Sequence, residues 1–260
     1  MVSYDAYEYI TVDIDGRVAT IELHRPEVYN ALNTETMFDL RRAFGEIELD
    51  REIDVVVITG EGDDAFSSGA DIEQYAGPAE DHPQQRARQD MFFDDVYTAA
   101  RDLHCPVIAK INGYCVGGGL ILAMFCDLRI AADHAKFGVP VTNIGQIPSG
   151  GSTKRAVELV GEAKAKEIVF TAGLIDAEEA HRIGLVNRVV PYDDLDVEVD
   201  GIVDAILDTG RLAVKNSKRT INFGAEAKDL GTAREFEAEV WWDQFDTEER
   251  ERLVDEFNEG

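Results

Sequence analysis

Basic residues are scarce in this 260-residue chain, and lysine is the scarcest of them. Lys and Arg total 25 against 52 Asp and Glu, a formal net charge of -27 at pH 7, and only eight of the 25 are lysine. That deficit excludes nucleic acid as an expected partner, because phosphate binding needs a basic face. An anionic membrane surface is excluded by the same sign. Cysteine is also sparse. Cys105, Cys115 and Cys126 are odd in number, apolar in context and without metal-ligand spacing, so they read as reduced core thiols of a cytoplasmic protein. Long hydrophobic runs are missing: the longest mainly apolar stretch, 117–125, is far too short to span a bilayer. The first ten residues hold neither a basic n-region nor an apolar h-region, so no signal peptide is expected.

What is present is enough apolar material for a real core, 45% of the chain. A carboxylate-rich, lysine-poor surface on an ordinary core suits concentrated salt, where counter-ions screen self-repulsion, so a halophilic setting is expected. The length suits one larger domain, or a domain with a small appendage.

Residues 10–14 and 18–23 alternate around Asp15-Gly16, as a β-hairpin does. A helix is expected from the Asn33/Thr34 cap, with Met37, Leu40, Phe44 and Ile47 on one face. Buried strands are expected at 55–58, 107–111 and 128–131, with a loop or frayed helix start at 77–89 and a helix through about Leu103. After residue 150 strands nearly vanish, and helices are expected at 152–160, 162–170, 176–183, 201–209, 211–224 and 232–257. Strands alternating with helices predict an α/β core over 1–200 and a helical region over 201–260.

Three segments place small residues where a backbone must approach something closely: 65–72 (Ala-Phe-Ser-Ser-Gly-Ala-Asp-Ile), 112–119 (Asn-Gly-Tyr-Cys-Val-Gly-Gly-Gly) and 145–153. The second runs from a strand into an apolar helix and aims unpaired amides out of its start. It lacks the Lys-Ser/Thr of a P-loop and the spacing of a dinucleotide fingerprint. Taken alone, the run is read equally well as tight helix–strand packing or as a backbone donor site.

Arg25-Pro26 with Asn30-Ala-Leu32, then Phe66 to Ile72, 106–113, Gly117-Gly-Gly119, Cys126-Asp-Leu-Arg129, Phe137-Gly138 and Gly145-x-Ile-Pro148 with Thr153 and Arg155, resemble the enoyl-CoA hydratase/isomerase (crotonase) family. The resemblance implies a spiral of ββα turns with C-terminal helices that assemble trimers or dimers of trimers. It implies an acyl-CoA thioester as ligand, with coenzyme A as part of the substrate; no metal or redox cofactor is expected, because the chain shows no ligand cluster or dinucleotide motif. By motif, the thioester oxygen would sit between the amides of Ala70 and Gly118. Val28, Tyr29, Ser68, Asp71, Ile72 and Gly117 would line the CoA cleft, mostly through backbone atoms.

The same resemblance exposes a departure. Hydratases of the family use two glutamates, and their positions here carry Ile121 and Val141; a third position, used by some isomerases, carries Ser149. Adding water across a conjugated double bond needs a base for the water and an acid for the α-carbon. Ile121 and Val141 supply neither, which leaves the Ser149 hydroxyl as a candidate without a histidine to activate it. Two functions fit: an enzyme that uses the oxyanion donors without the usual glutamates, or an inactive acyl-CoA-binding or assembly subunit.

Overall fold

The computed structural model describes residue 4 and residues 7–75 and 95–259, so the stretch expected as a loop at 77–89 lies outside the described residues. The chain opens with the expected hairpin: β1 (Ile10–Asp15) pairs antiparallel with β2 (Val18–Leu23), and Gly16 takes the left-handed conformation at the turn. In the sheet that this hairpin begins, pairing from β2 onward is parallel. β3 (Val55–Gly60), β5 (Val107–Ile111), β7 (Leu128–Ala132) and β10 (Arg188–Val190) complete a six-stranded sheet in the order β1-β2-β3-β5-β7-β10.

β3 shows why its sequence is a β-branched run and not an alternation. Val56 and Ile58 enter the main core, while Val55 and Val57 enter a second cluster on the opposite face. A parallel strand covered on both sides needs apolar residues at every position. The second cluster is closed by Leu195, Val199 and Val203, one stripe of α7 (Leu195–Leu207). The main core receives Met37, Leu40, Phe44 and Ile47 from α1 (Thr34–Leu49), whose start is capped where expected: Asn33 Oδ1 accepts from the Thr36 amide at 2.7 Å.

A second sheet, order β4-β6-β8-β9, is built from β4 (Ala65–Ser67), β6 (Tyr114–Val116), β8 (Lys136–Gly138) and β9 (Ile175–Asp176). The sequence did not predict it, because strands of two or three residues are shorter than any readable alternation. β4, β6 and β8 each follow a long strand after a tight turn, so the spiral repeat is strand, short strand, helix. At one such turn a Cβ on Gly113 would lie 2.1 Å from the Asp64 carbonyl oxygen, and only glycine fits.

The helices are α2 (described over residues 95–102), α3 (Gly118–Phe125), α4 (Ser152–Val160), α5 (Glu162–Thr171), α6 (Ala177–Arg182), α8 (Arg211–Glu226), α9 (Leu230–Phe245) and α10 (Glu248–Glu259). Two expectations need correction. α7 starts six residues before the expected 201, because acidic residues interleaved with Val197 and Val199 hide its four-residue apolar spacing. The single helix expected over 232–257 is two. Thr247 breaks it, donating its hydroxyl to the Gln244 carbonyl at 2.9 Å, and the acidic run Glu248, Glu249, Glu251 then suits a fresh helix N-terminus.

α8 is fastened to the core by buried ion pairs. Lys218 Nζ lies 2.8 Å from Asp127 Oδ2 and donates to the Cys105 carbonyl, while Asp127 also accepts the Val107 amide at the start of β5. Asp54, at the foot of β3, meets Arg17, Arg211 and Lys215. Burial pushes the Asp54 carboxyl up, but Lys215 and Arg211 outweigh it and hold it below the ordinary range.

Candidate functional site

The segments 25–32 and 67–72 fold as one unit. Leu32 and Ala70 form an isolated parallel bridge in which the Leu32 amide donates to the Gly69 carbonyl at 2.7 Å and the Asp71 amide donates to the Leu32 carbonyl at 3.0 Å. In that pattern the neighbours of Ala70 make the bonds, so its own N–H faces away from Leu32. The Ser68 amide donates to the Tyr29 carbonyl and its hydroxyl to the Val28 carbonyl. Arg25 closes the unit, with Nη1 3.0 Å from Asp71 Oδ2 and 2.7 Å from the Ala31 carbonyl. The Asp71 side chain is therefore engaged inside the protein. Val28, Tyr29, Ser68 and Ile72 lie exposed along the rim, where the Tyr29 ring meets Tyr114 edge-on with centroids 6.5 Å apart.

Asn30 organises this unit, and sequence reading gave it no role of its own. It is buried at a φ of 54°, a conformation asparagine tolerates because its short amide can bond locally. Its side chain accepts the Arg25 amide and donates to the Glu61 and Ala65 carbonyls.

The glycine run faces this turn, and its three members serve different ends. Gly117 is the N-cap of α3 at φ 53°, ψ -123°, a region closed to side chains. Gly119 allows close packing, since a Cβ there would lie 2.6 Å from Ser67 Cβ. Gly118 is not conformationally special, but it is closely surrounded. A Cβ on it would stand 3.3 Å from the Ala70 nitrogen, 3.2 Å from the Tyr97 hydroxyl oxygen and 3.5 Å from Leu32 Cδ1. Glycine at 118 thus lets the start of α3 approach the Ala70 turn closely, with the Tyr97 hydroxyl and Leu32 beside it. As the first residue of α3, Gly118 has an amide with no intrahelical acceptor, and the helix dipole adds positive potential there. Two neighbouring amides, one of them at a helix start, can hold an oxygen that carries negative charge.

The far end of α3 is equally fixed. Arg129 is buried and donates to the carbonyls of Ala123, Cys126 and Leu185. Burial lowers its guanidinium to about 10, so it stays charged at neutral pH. Arg155 adds a bond to the Met124 carbonyl at 2.9 Å.

The third segment is less enclosed. A 3-10 turn over Pro140–Ile144 leads into an exposed stretch, and Ser149 is exposed with its carbonyl accepting the Ser152 amide. The link to α3 is aromatic. A Cβ on Gly151 would touch Phe125, whose ring stacks on Tyr97 with centroids 6.1 Å apart. Ile121, only 4% exposed, and Val141 belong to the same apolar core, Ile121 within it and Val141 packed against it. Tyr97, 4% exposed, is the residue that sequence reading missed altogether. No motif marks it, and only the fold carries its hydroxyl from α2 to the start of α3. Among the described residues no three His, Cys, Asp or Glu side chains converge as metal ligands would. No helix is long and apolar enough to cross a membrane among those residues.

A family profile described as enoyl-CoA hydratase/isomerase matches residues 13–260. The chain belongs to the enoyl-CoA hydratase/isomerase family. A short-chain-enoyl-CoA hydratase of Clostridium acetobutylicum is 38% identical over 250 residues, covering 96% of this chain and 94% of that protein. A crotonyl-CoA hydratase of Syntrophomonas wolfei is 38% identical over 255 residues, covering 98% and 96%. Among solved structures, an enoyl-CoA hydratase from Bacillus anthracis superposes with a TM-score of 0.92 at 34% identity, covering 97% of this chain and 96% of that one. A Thermobifida fusca protein solved in complex with CoA gives 0.82 at 33% identity, covering 91% and 92%. The fold is therefore the crotonase α/β fold, and the family-level activity is that of acyl-CoA hydratases and isomerases.

Proposed function

We propose that this member of the family is an enzyme acting on an acyl-CoA thioester, whose oxygen it holds between the amides of Ala70 and Gly118. The observation that carries the reading is the close approach of the start of α3 to the Ala70 turn, where a Cβ on Gly118 would lie 3.3 Å from the Ala70 nitrogen although backbone conformation does not require glycine there. Enolising a thioester places negative charge on its oxygen, and a preorganised donor there is worth about 2.7–4 kcal/mol. Val28, Tyr29, Ser68, Ile72 and Gly117 line the CoA cleft in this reading, with Asp71 contributing through its backbone.

Ile121 and Val141 stand in the places of the two hydratase glutamates. Because neither can move a proton, hydration by a carboxylate pair is not the reaction we assign. The experiment is a panel of enoyl-, β-keto- and malonyl-type CoA thioesters assayed at high salt, with binding measured in parallel. Turnover of one class identifies the reaction, and tight binding without turnover across the panel overturns the enzyme reading in favour of a binding or assembly subunit. Ile121→Glu combined with Val141→Glu is expected to install crotonyl-CoA hydration. A folded, CoA-binding, inert double variant would refute the positional assignment.

We further propose that residues 201–260 serve self-association, as a trimer or dimer of trimers. Trp241 and Trp242, 56% and 63% exposed and packed edge-on at 4.6 Å, support this, as does the exposed Phe257. The charge of -27 supports work in concentrated salt, and the three buried free cysteines support a cytoplasmic setting. Light scattering across salt concentrations tests the assembly.

A further inference from the structure

Carboxylates meet most helix starts in this chain. Glu35, Glu162, Glu178, Asp196 and Glu248 stand in the first turns of α1, α5, α6, α7 and α10. Asp229 caps α9, and Glu249 accepts the Arg211 and Leu212 amides of α8 at 2.9 and 2.8 Å. Among the described residues two starts receive no acid, those of α3 and α4. The first is the start assigned above to the thioester oxygen. The second follows Gly150 and Gly151, both at positive φ, and begins with Ser152. Ser152 is 2% exposed, and its Oγ is buried without a hydrogen-bond partner. Cα–Cβ bonds lean toward a helix N-terminus, so this hydroxyl belongs to the end of α4 where the Thr153 and Lys154 amides meet no acceptor among the described residues. A buried hydroxyl without a partner costs stability, which a ligand that accepts from it would recover. The place is joined to the thioester site through α3. A Cβ on Gly151 would lie 3.5 Å from Phe125 Cζ, and Arg155 Nε donates to the Met124 carbonyl at 2.9 Å, both at the end of the helix that Gly118 begins.

We propose that the start of α4 binds a carboxylate at the far end of the acyl group, which accepts from the Ser152 hydroxyl and from the Thr153 and Lys154 amides. The inference rests on the acyl-CoA reading and names its substrate class, thioesters of dicarboxylic acids. A carboxylate suits the place because it only accepts hydrogen bonds and has lone pairs for several donors at once. The partial positive charge of a helix start favours it further. α3 is eight residues, about 12 Å, long, so the acyl chain must run to several carbons to engage both ends of it. The same reading explains why a chain with 52 acidic residues sets none of them at this start, where its carboxylate would compete with the ligand.

The test measures affinity in concentrated KCl for glutaryl-, adipyl- and pimelyl-CoA against valeryl-, hexanoyl- and heptanoyl-CoA, which match them carbon for carbon. Wild type should bind at least one dicarboxylic thioester about tenfold more tightly than its counterpart, the effect of a charge-assisted hydrogen bond. Ser152→Ala should lose most of that preference while affinity for the counterpart moves by less than about two-fold. Without ligand, Ser152→Ala should unfold in urea no earlier than wild type, because removing an unpartnered hydroxyl breaks no bond. A wild type without preference at any chain length, or a variant that keeps the preference in full, overturns the inference and leaves the acyl-CoA reading intact. Ligand-free Ser152→Ala that unfolds at clearly lower urea would show the hydroxyl engaged within the fold, and equal losses of affinity for both series would mark a packing role; either result overturns it. Failure of wild type to bind any of the thioesters overturns the acyl-CoA reading and this inference together.

Discussion

Substituting alanine singly at 117, 118 and 119 should damage the protein in three different ways, because the glycines are adjacent in sequence but meet different surroundings. At Gly118 the backbone is helical and the added Cβ meets atoms at 3.2 to 3.5 Å, so neighbours, a backbone nitrogen among them, must give by a few tenths of an ångström. Alanine favours a helix over glycine by up to about 1 kcal/mol, which offsets part of that crowding, so any loss of stability should be smaller than at Gly119. The methyl group also crowds the Ala70 nitrogen at 3.3 Å. If a reacting oxygen is held by the two amides, displacing it from one donor should lower turnover by about 10²–10³-fold. At Gly117 there is room, the nearest atom being 3.7 Å away, but the positive φ should cost about 1–3 kcal/mol of stability. At Gly119 the Cβ would lie 2.6 Å from Ser67 Cβ and from the Ser67 carbonyl oxygen, so α3 must move off β4, which typically costs about 1–3 kcal/mol. Urea unfolding, together with turnover of the thioester identified by the panel, separates the cases. Gly118→Ala that is folded and fully active would refute the assignment of the two amides to the oxygen. Loss of stability in Gly118→Ala equal to that in Gly119→Ala would show that 118 is only a packing position.

Three further outcomes follow from the same structure. Arg129→Met strips donors from three buried carbonyls and should destabilise the fold by at least about 3 kcal/mol in urea unfolding at neutral pH. Asp54→Asn leaves Arg17, Arg211 and Lys215 without their shared carboxylate and should lose about 3 kcal/mol at pH 7. Because the folded pKa of Asp54 is depressed, its stabilisation is complete above the unfolded value of about 3.9 and fades as pH falls through the lower folded value. Wild type and variant should therefore converge only in strong acid, as unfolding curves at matched salt will show. CoA carries several phosphate charges into the field of a -27 protein, and raising KCl from about 0.1 to about 1 M shortens the screening length from about 10 to about 3 Å. Its dissociation constant should fall on that titration, and a rise would show that basic side chains dominate the cleft.

The long elements were legible because each carries a repeating physical signature. The cap at Asn33 with apolar residues three and four apart marks α1, and the β-branched run at 55–58 marks a strand buried on both faces. The second sheet was not legible. Its strands are set by pairing with neighbours distant in sequence, and three residues cannot display a period. The break at Thr247 could have been read from the acidic cluster that follows it, which suits a helix start and not a helix middle. In the site, small residues at 69–70 and 117–119 announced close backbone approach. The reason differs at each glycine and depends on what lies opposite. Asn30 acts through partners that only the folded chain supplies, and Tyr97 comes beside Gly118 only in the folded chain, so no local pattern could have revealed either placement.

The acidity of the surface and the polarity of the pocket are independent by construction. Every donor assigned by motif to the oxygen is a main-chain amide, positioned by a bridge at Leu32 and by the start of α3. Amides carry no net charge, have no pKa in the physiological range and keep their place through any substitution that preserves the turn. A chain can therefore replace most of its surface lysines by carboxylates without weakening the field that would stabilise an enolate. The helix dipole acts only within the first turn and is felt where solvent is excluded, whereas the surface charges are screened. An effect of salt should then appear in the affinity for the phosphates of CoA and not in the chemical step. That separation predicts a salt-dependent KM with a kcat nearly flat across the range in which the fold is intact. A kcat that tracked KM in steady-state assays from low to high KCl would show that the surface charge reaches the reacting oxygen after all.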